Sequence, residues 1–182
     1  MKRLALSLLL LISLFTSAFT KPDVYKIDAG KNSQIHNNRA LMYLEDKDYF
    51  AAIEEYKIAI SLNPNSQASA VFYNNLGEIY MKLGSYRYAQ DCFERAINQY
   101  CLNLAYYQNL AKAYKAQRTI DAAIKKYSAN GKSPLNMVML GLLYVEKGDV
   151  KHGIIKLDEF CMQEPDLIIT GAVRIYLKQI IP

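Results

Sequence analysis

Small and aromatic positions recur along this chain in a fixed order, and no strand-like alternating run interrupts them. A small residue is followed by a tyrosine three positions later, a second small residue nine further on, and in three of four copies an aromatic four beyond that. The copies are Ala40/Tyr43/Ala52/Tyr56, Gly77/Tyr80/Ala89/Phe93, Ala111/Tyr114/Ala123/Tyr127 and Gly141/Tyr144/Gly153/Leu157. Their first members lie 37, 34 and 30 residues apart, from 40 to 77, 77 to 111 and 111 to 141. All four slots shift together, so the unit that repeats is a pair of helices. Asp46-Lys47-Asp48, Gly84-Ser85, Gln117-Arg118-Thr119 and Gly148-Asp149 are the short polar or glycine-containing turns that an antiparallel hairpin needs.

Packing accounts for the residue types. A small side chain at Ala40, Gly77, Ala111 or Gly141 lets two helices approach to the roughly 8–10 Å at which such pairs interlock. The tyrosine three positions on projects from the same face and fills the space beside the crossing. The uneven spacing has local causes. Pro64 ends a helix and opens a longer connection through Asn65-Ser66-Gln67, while the stretch Ser128 to Pro134 is short, so the second helix of repeat three stops early at Asn130-Gly131. Ser133 then reads as an N-cap with Pro134 in the first turn, and a kink in the stack is expected there.

A period near 34 with Leu-Gly-x-x-Tyr, then Ala-x-x-x-Phe, then Pro resembles the tetratricopeptide repeat. Repeat two carries it best, with Tyr73, Leu76, Gly77, Tyr80, Gly84, Tyr86, Ala89, Phe93 and Ala96 in the family's positions. Repeat one has Arg39 where leucine is usual, and repeat four lacks the aromatic. The resemblance implies an all-α, right-handed α-solenoid of about four helix-turn-helix repeats, at 33–66, 70–103, 104–133 and 134–167, with a capping helix over 167–181. It also implies that the first helix of each pair lines a concave groove holding a peptide or protein. The candidate partner-binding residues are Asn37 and Leu41 in repeat one, Asn74, Glu78 and Lys82 in repeat two, and Gln108, Lys112 and Lys115 in repeat three. Leu44 continues the row in repeat one and Val138, Leu142 and Val145 in repeat four, so the groove is expected to grade from polar to apolar. The alternative is a solvated face on which Glu78 pairs with Lys112 across neighbouring helices. Carboxylate-clamp members of the family carry a defined set of lysine, asparagine and arginine. With Asn37, Leu41, Gln108 and Asn109 at the basic positions that set is incomplete, and a chaperone-tail receptor is not expected.

The ends of the chain differ from the array. Lys2-Arg3, a charge-free apolar run from Leu4 to Phe15 and the small residues to Thr20 read as an export signal over residues 1–20, cleaved near Ala18 or Thr20. The expected destination is the periplasm or cell envelope, with membrane attachment only if the signal is retained as an anchor. Residues 21–32 are polar and unpatterned and read as a flexible lead-in. At the C-terminus, Ile169, Ala172, Val173, Tyr176, Leu177 and Ile180 share one helical face, Thr170, Arg174 and Lys178 mark the other, and Ile168, Ile175 and Ile181 fall outside the apolar stripe. A cap should present a polar outer face, so this helix is either a lid or a docking and self-association surface, the latter making the chain a structural subunit or homo-oligomer.

Composition adds exclusions. Without Lys2 and Arg3 the 22 basic residues fall to 20 against 17 acidic, dispersed rather than striped, and nucleic-acid binding is not expected. Cys92, Cys101 and Cys161 form no Cys-x-x-Cys and are expected as free thiols. His36 and His152 have no metal-ligand partner at helical spacing. Gly131-Lys132-Ser133 lacks the leading glycine and the strand of a phosphate loop. Glu54-Glu55 and Asp158-Glu159 point about 100° apart on a helix and form no facing acid and base. No cofactor and no catalysis are expected. Most of the 15 tyrosines fill packing slots, leaving Tyr88, Tyr100 and Tyr106 free to meet a partner. The function expected is a non-catalytic adaptor or scaffold.

Overall fold

The structure, a computed structural model, describes residues 28–129 and 133–181. The segment expected to be an export signal, residues 1–20, and most of the expected lead-in lie outside the described residues, as does Asn130-Gly131. Among the described residues there are nine helices and no strand: α1 (Ala29–Glu45), α2 (Tyr49–Leu62), α3 (Gln67–Lys82), α4 (Tyr86–Gln99), α5 (Leu104–Ala116), α6 (Ile120–Ala129), α7 (Pro134–Lys147), α8 (Val150–Gln163) and α9 (Ile168–Ile180). They form four hairpins and a last single helix, the α-solenoid that the periodicity implies.

Short side chains start the helices. Asp28, Asp48 and Asp149 accept from backbone N–H groups three residues on, Asn103 from Ala105, and Ser66 forms a reciprocal capping box with Ser69. Ser133 sits at the N-cap of α7 with Pro134 behind it, but its hydroxyl caps nothing. Helix α1 starts at Ala29, inside the stretch expected to be a lead-in, because Asp28 caps it there.

The four hairpin turns are the same turn. Lys47, Gly84, Arg118 and Gly148 are left-handed, with φ of 60°, 71°, 61° and 97°, and occupy one repeat position, again 37, 34 and 30 residues apart. In each, the next N–H reaches back to the constellation tyrosine: Asp48 to the carbonyl of Tyr43, Ser85 to Tyr80, Thr119 to Tyr114 and Asp149 to Tyr144, at 2.8–2.9 Å. This six-residue closure satisfies a carbonyl that the helix end leaves unpaired.

Above the turn, the small slots set how closely the helices cross. A Cβ built on Gly77 would lie 2.5 Å from the ring of Phe93, and one on Gly141 would lie 2.5 Å from Leu157. Tyr56, Phe93 and Leu157, the fourth members of the constellation, are wholly buried against those slots. The core falls into two large clusters. One joins repeats one and two through Tyr56, Phe72, Leu76 and Ile79; the other runs from Phe93 through Leu110, Leu142, Leu143 and Phe160 to Val173 of α9.

Repeat three departs from this scheme. Its residues are in the right slots, yet α6 touches its hairpin partner α5 at few positions, and α5 packs instead along α7. Helix α6 has 10 residues, buries only Ala123, and leaves Tyr127 partly exposed where Tyr56 and Phe93 are wholly covered. The shortened 30-residue spacing is the cause, since it brings α7 beside α5 before α6 has closed the pair.

The last helix also differs from expectation. Helix α9 buries Ile169, Thr170, Val173 and Leu177. Thr170, expected on the polar face, is fully buried because its hydroxyl donates to the carbonyl of Glu164, and Ala172, expected on the packed face, is exposed. Tyr106, expected at the surface, is buried beside Ala70 and Ala96, whereas Tyr88 is 67% exposed.

The crossings make opposite demands on two glycines. Gly141→Val should cost about 1–3 kcal/mol through overpacking, whereas Gly171→Ala, where a Cβ meets nothing within 4 Å, should gain up to about 1 kcal/mol of helix propensity. Urea unfolding of the two variants measures both, and equal midpoints would disprove the slot argument.

Candidate functional site

The candidate row lies on the first helices of the hairpins, α1, α3 and α5, and continues on α7. Along it the candidate residues divide by exposure. Leu41, Glu78, Lys82, Lys112 and Lys115 are exposed and Gln108 is half-buried, but Asn37 and Asn74 are 6% and 7% exposed and face the neighbouring helices. The amide of Asn37 donates to Asn38 Oδ1 at 3.2 Å on its own helix, while Asn74 is engaged by α5.

Asn74 belongs to a closed polar network. Its amide donates to Glu78 Oε1 at 2.9 Å, and the amide of Asn109 donates to Asn74 Oδ1 at 2.9 Å and to Glu78 Oε1 at 3.0 Å. The network bridges α3 and α5. The corresponding bridge between α1 and α3 is missing, because the amide of Asn75, one repeat before Asn109, donates to Tyr56 Oη at 3.2 Å. Asn37 Oδ1 is left buried with no partner, an exception to the rule that buried polar atoms are paired.

Glu78 and Lys112, the pair that would have made this a merely solvated face, do not meet. Glu78 is held by the two asparagines, and no hydrogen bond or ion pair involves Lys112 among the described residues. Lys115 pairs with Glu146 of α7 at 3.0 Å, and Lys82 lies over the ring of Tyr49 at 5.9 Å. The row therefore presents Leu41, one tied carboxylate and an unpaired ammonium.

The apolar end of the row is closed. Val138 and Leu142 are buried rather than presented, while Val145 is half-buried. Helix α9 crosses from α8 to α5, and Tyr176 joins Gln108, Lys112, Leu142 and Glu146 around a cleft of about 90 Å³. The open groove thus spans repeats one to three.

The opposite side has a polar arrangement that the sequence did not announce. Where α6 stands away from α5, Tyr114 Oη donates to Glu94 Oε1 at 2.9 Å and Lys126 Nζ donates to the same oxygen at 3.2 Å, with Gln90 and Gln117 continuing the chain. Burial, with Tyr127 and Glu94 close by, pushes the Tyr114 hydroxyl far above the usual phenol range. These contacts stand in for the hydrophobic closure that the other hairpins have.

The remaining candidates have structural partners. His36 Nδ1 lies 2.6 Å from Glu55 Oε2, tying α1 to α2, and His152 Nδ1 lies 2.7 Å from Asp149 Oδ2. No group of three or more His, Cys, Asp or Glu that could hold a metal occurs among the described residues, and no described helix is long and apolar enough to cross a membrane. The three cysteines are free: Cys92 and Cys161 are buried, and Cys101 is exposed.

Residues 33–66 and 70–103 each match the tetratricopeptide repeat, and the nine described helices form an all-α solenoid whose structural neighbours are tetratricopeptide proteins. The human small glutamine-rich tetratricopeptide repeat-containing protein beta is 36% identical over 89 residues, covering 45% of this chain and 28% of that protein. Among solved structures, BtubC (BKLC) from P. vanneervenii aligns over 93% of this chain and 74% of its own with a TM-score of 0.55 at 19% identity. A tetratricopeptide repeat protein from Parabacteroides merdae aligns over 83% and 60% with a TM-score of 0.53 at 17% identity. MamA aligns over 78% and 83% with a TM-score of 0.50 at 23% identity. At these identities the neighbours establish the fold alone.

Thiol chemistry should separate the cysteines. Burial pushes the Cys92 thiol up to about 12 and raises that of Cys161. A disulfide exchange reagent at neutral pH should therefore titrate one thiol rapidly, lost in Cys101→Ser, and the other two only on unfolding; three equally fast thiols would contradict this packing.

Proposed function

We propose that this chain is a non-catalytic adaptor, exported to the cell envelope, that holds an extended or helical peptide segment of a protein partner in the concave groove of repeats one to three. The observation that carries the reading is Lys112: an exposed ammonium in the candidate row whose side chain has no counter-ion among the described residues, in a row whose carboxylate Glu78 is held by two amides. Tetratricopeptide domains bind proteins or peptides, and a groove so arranged suits a ligand with an acidic group near Lys112 and an apolar side chain near Leu41. Export rests on the basic start, apolar run and small residues of positions 1–20.

Both halves can be tested separately. Capture from an envelope fraction should lose its main partner when Lys112→Ala/Lys115→Ala replaces the wild type; an unchanged set of captured proteins would remove the groove assignment. Fractionation with N-terminal sequencing should find the chain outside the cytoplasm, starting just after Ala18 or Thr20. Recovery only in the cytoplasm, with Met1 in place, would end the export reading and leave the groove untouched.

A further inference from the structure

Helix α9 stands in register with the first helices of the hairpins. Val173 and Leu177 follow Met139 and Leu143 of α7 by 34 residues, and all four are buried. In the same register Ile175 follows Gly141, the slot at which α7 receives Leu157 of its hairpin mate. Yet Ile175 is 62% exposed and Ile168 is 73% exposed. The face that each preceding first helix turns to its mate is, in α9, uncovered among the described residues.

That face has the make-up of a helix-pairing seam. Ile168, Ala172 and Ile175 are spaced four and three apart, as along a coiled-coil edge. Gly171 beside them is an open notch, since a Cβ there would meet nothing within 4 Å. Along the flank run Arg174, whose Nη2 also donates to the carbonyl of Cys161 at 3.5 Å, and Lys178, both exposed, and α9 contains no acidic residue. In the hairpins the small residue is on the first helix and the bulky one on its mate. Here Ile175 is the bulky one, so the complementary surface needs a small residue opposite it.

We infer that α9 is a docking surface for an amphipathic helix of a partner protein that carries acidic residues along one flank and a small residue at the crossing with Ile175. Charge selects this occupant. Pairing α9 with the α9 of a second copy would set Arg174 and Lys178 of both chains along one seam, and like charges so placed are disfavoured. An acidic flank answers them. The surface is separate from the groove, and the inference does not rest on the groove reading.

The test uses the full chain and two labelled synthetic helices of one leucine–alanine seam, one with glutamate flanks and one with lysine flanks, followed by fluorescence anisotropy at low and raised salt. The glutamate helix should bind at least about tenfold more tightly, with the difference shrinking as salt screens it. Ile175→Gln should weaken that binding, and Lys178→Glu, which changes only an exposed side chain, should narrow or reverse the preference. Equal affinity for the two helices, or binding indifferent to both substitutions, overturns the inference. So does a dimer in sedimentation that Ile175→Gln dissociates, which assigns the face to a second copy, or adsorption to phosphatidylglycerol vesicles without helix binding, which assigns it to lipid.

Discussion

The close crossing of the two helices in hairpins two and four is the contact on which the rest of this structure depends. Gly77 against Phe93 and Gly141 against Leu157 leave no room for a single added carbon. Because the helices cross there, the constellation tyrosine can end over the turn, and its carbonyl can take the N–H that closes it. A left-handed residue is needed between, which glycine adopts freely and lysine or arginine at a modest cost. Lys47 and Arg118 accept that conformation where the next N–H, of Asp48 or Thr119, closes the turn onto the tyrosine carbonyl. Each hairpin is thus a rigid unit, and the stack inherits its direction from how consecutive units meet.

Where one of these conditions fails, the consequence is local and legible in the contacts. Repeat three keeps Ala111, Tyr114, Ala123 and Tyr127, but the shortened connection brings α7 onto α5, and α6 is left to a polar attachment through Glu94, Tyr114 and Lys126. Hydrophobic closure is non-directional and tolerates small shifts; a network of this kind is directional and holds only while each donor keeps its acceptor. Two clefts of about 210 and 250 Å³ flank Lys126 where apolar packing would otherwise continue.

How far the sequence could be read follows from the same division. Slots set by a helix and its own hairpin mate were legible: the small residues, the buried Tyr56 and Phe93, the turns, and the exposed Ile168 and Ile175. Features set by a neighbour whose distance the spacing does not encode were not. Asn37 and Asn74 of the expected row are buried. Ala172 and Thr170 exchanged environments because a hydroxyl found the carbonyl of Glu164, fixing the rotation of α9 about its axis. Lys112 was visible as a charge, but that its side chain pairs with no described residue while Glu78 is held by two amides was not.

The position of α9 gives the groove its character. By crossing to α5 and placing Tyr176 over Leu142, this helix buries the apolar residues that would otherwise have ended the groove. What stays open is polar and charged, with Leu41 as its main apolar contact, so there is little hydrophobic area to give a ligand affinity. Binding there must rest on directed hydrogen bonds and on Lys112, and contacts of that kind weaken with salt and depend on fit more than on area. The asparagine–glutamate network adds a further condition. Its donors are already committed, so a ligand gains from Asn74, Glu78 or Asn109 only by replacing a bond that exists, which returns little net free energy. The discriminating contacts on this face are therefore the side chains that the network leaves unused, and of the charged residues in the row Lys112 has neither an ion pair nor the ring contact that Lys82 makes with Tyr49.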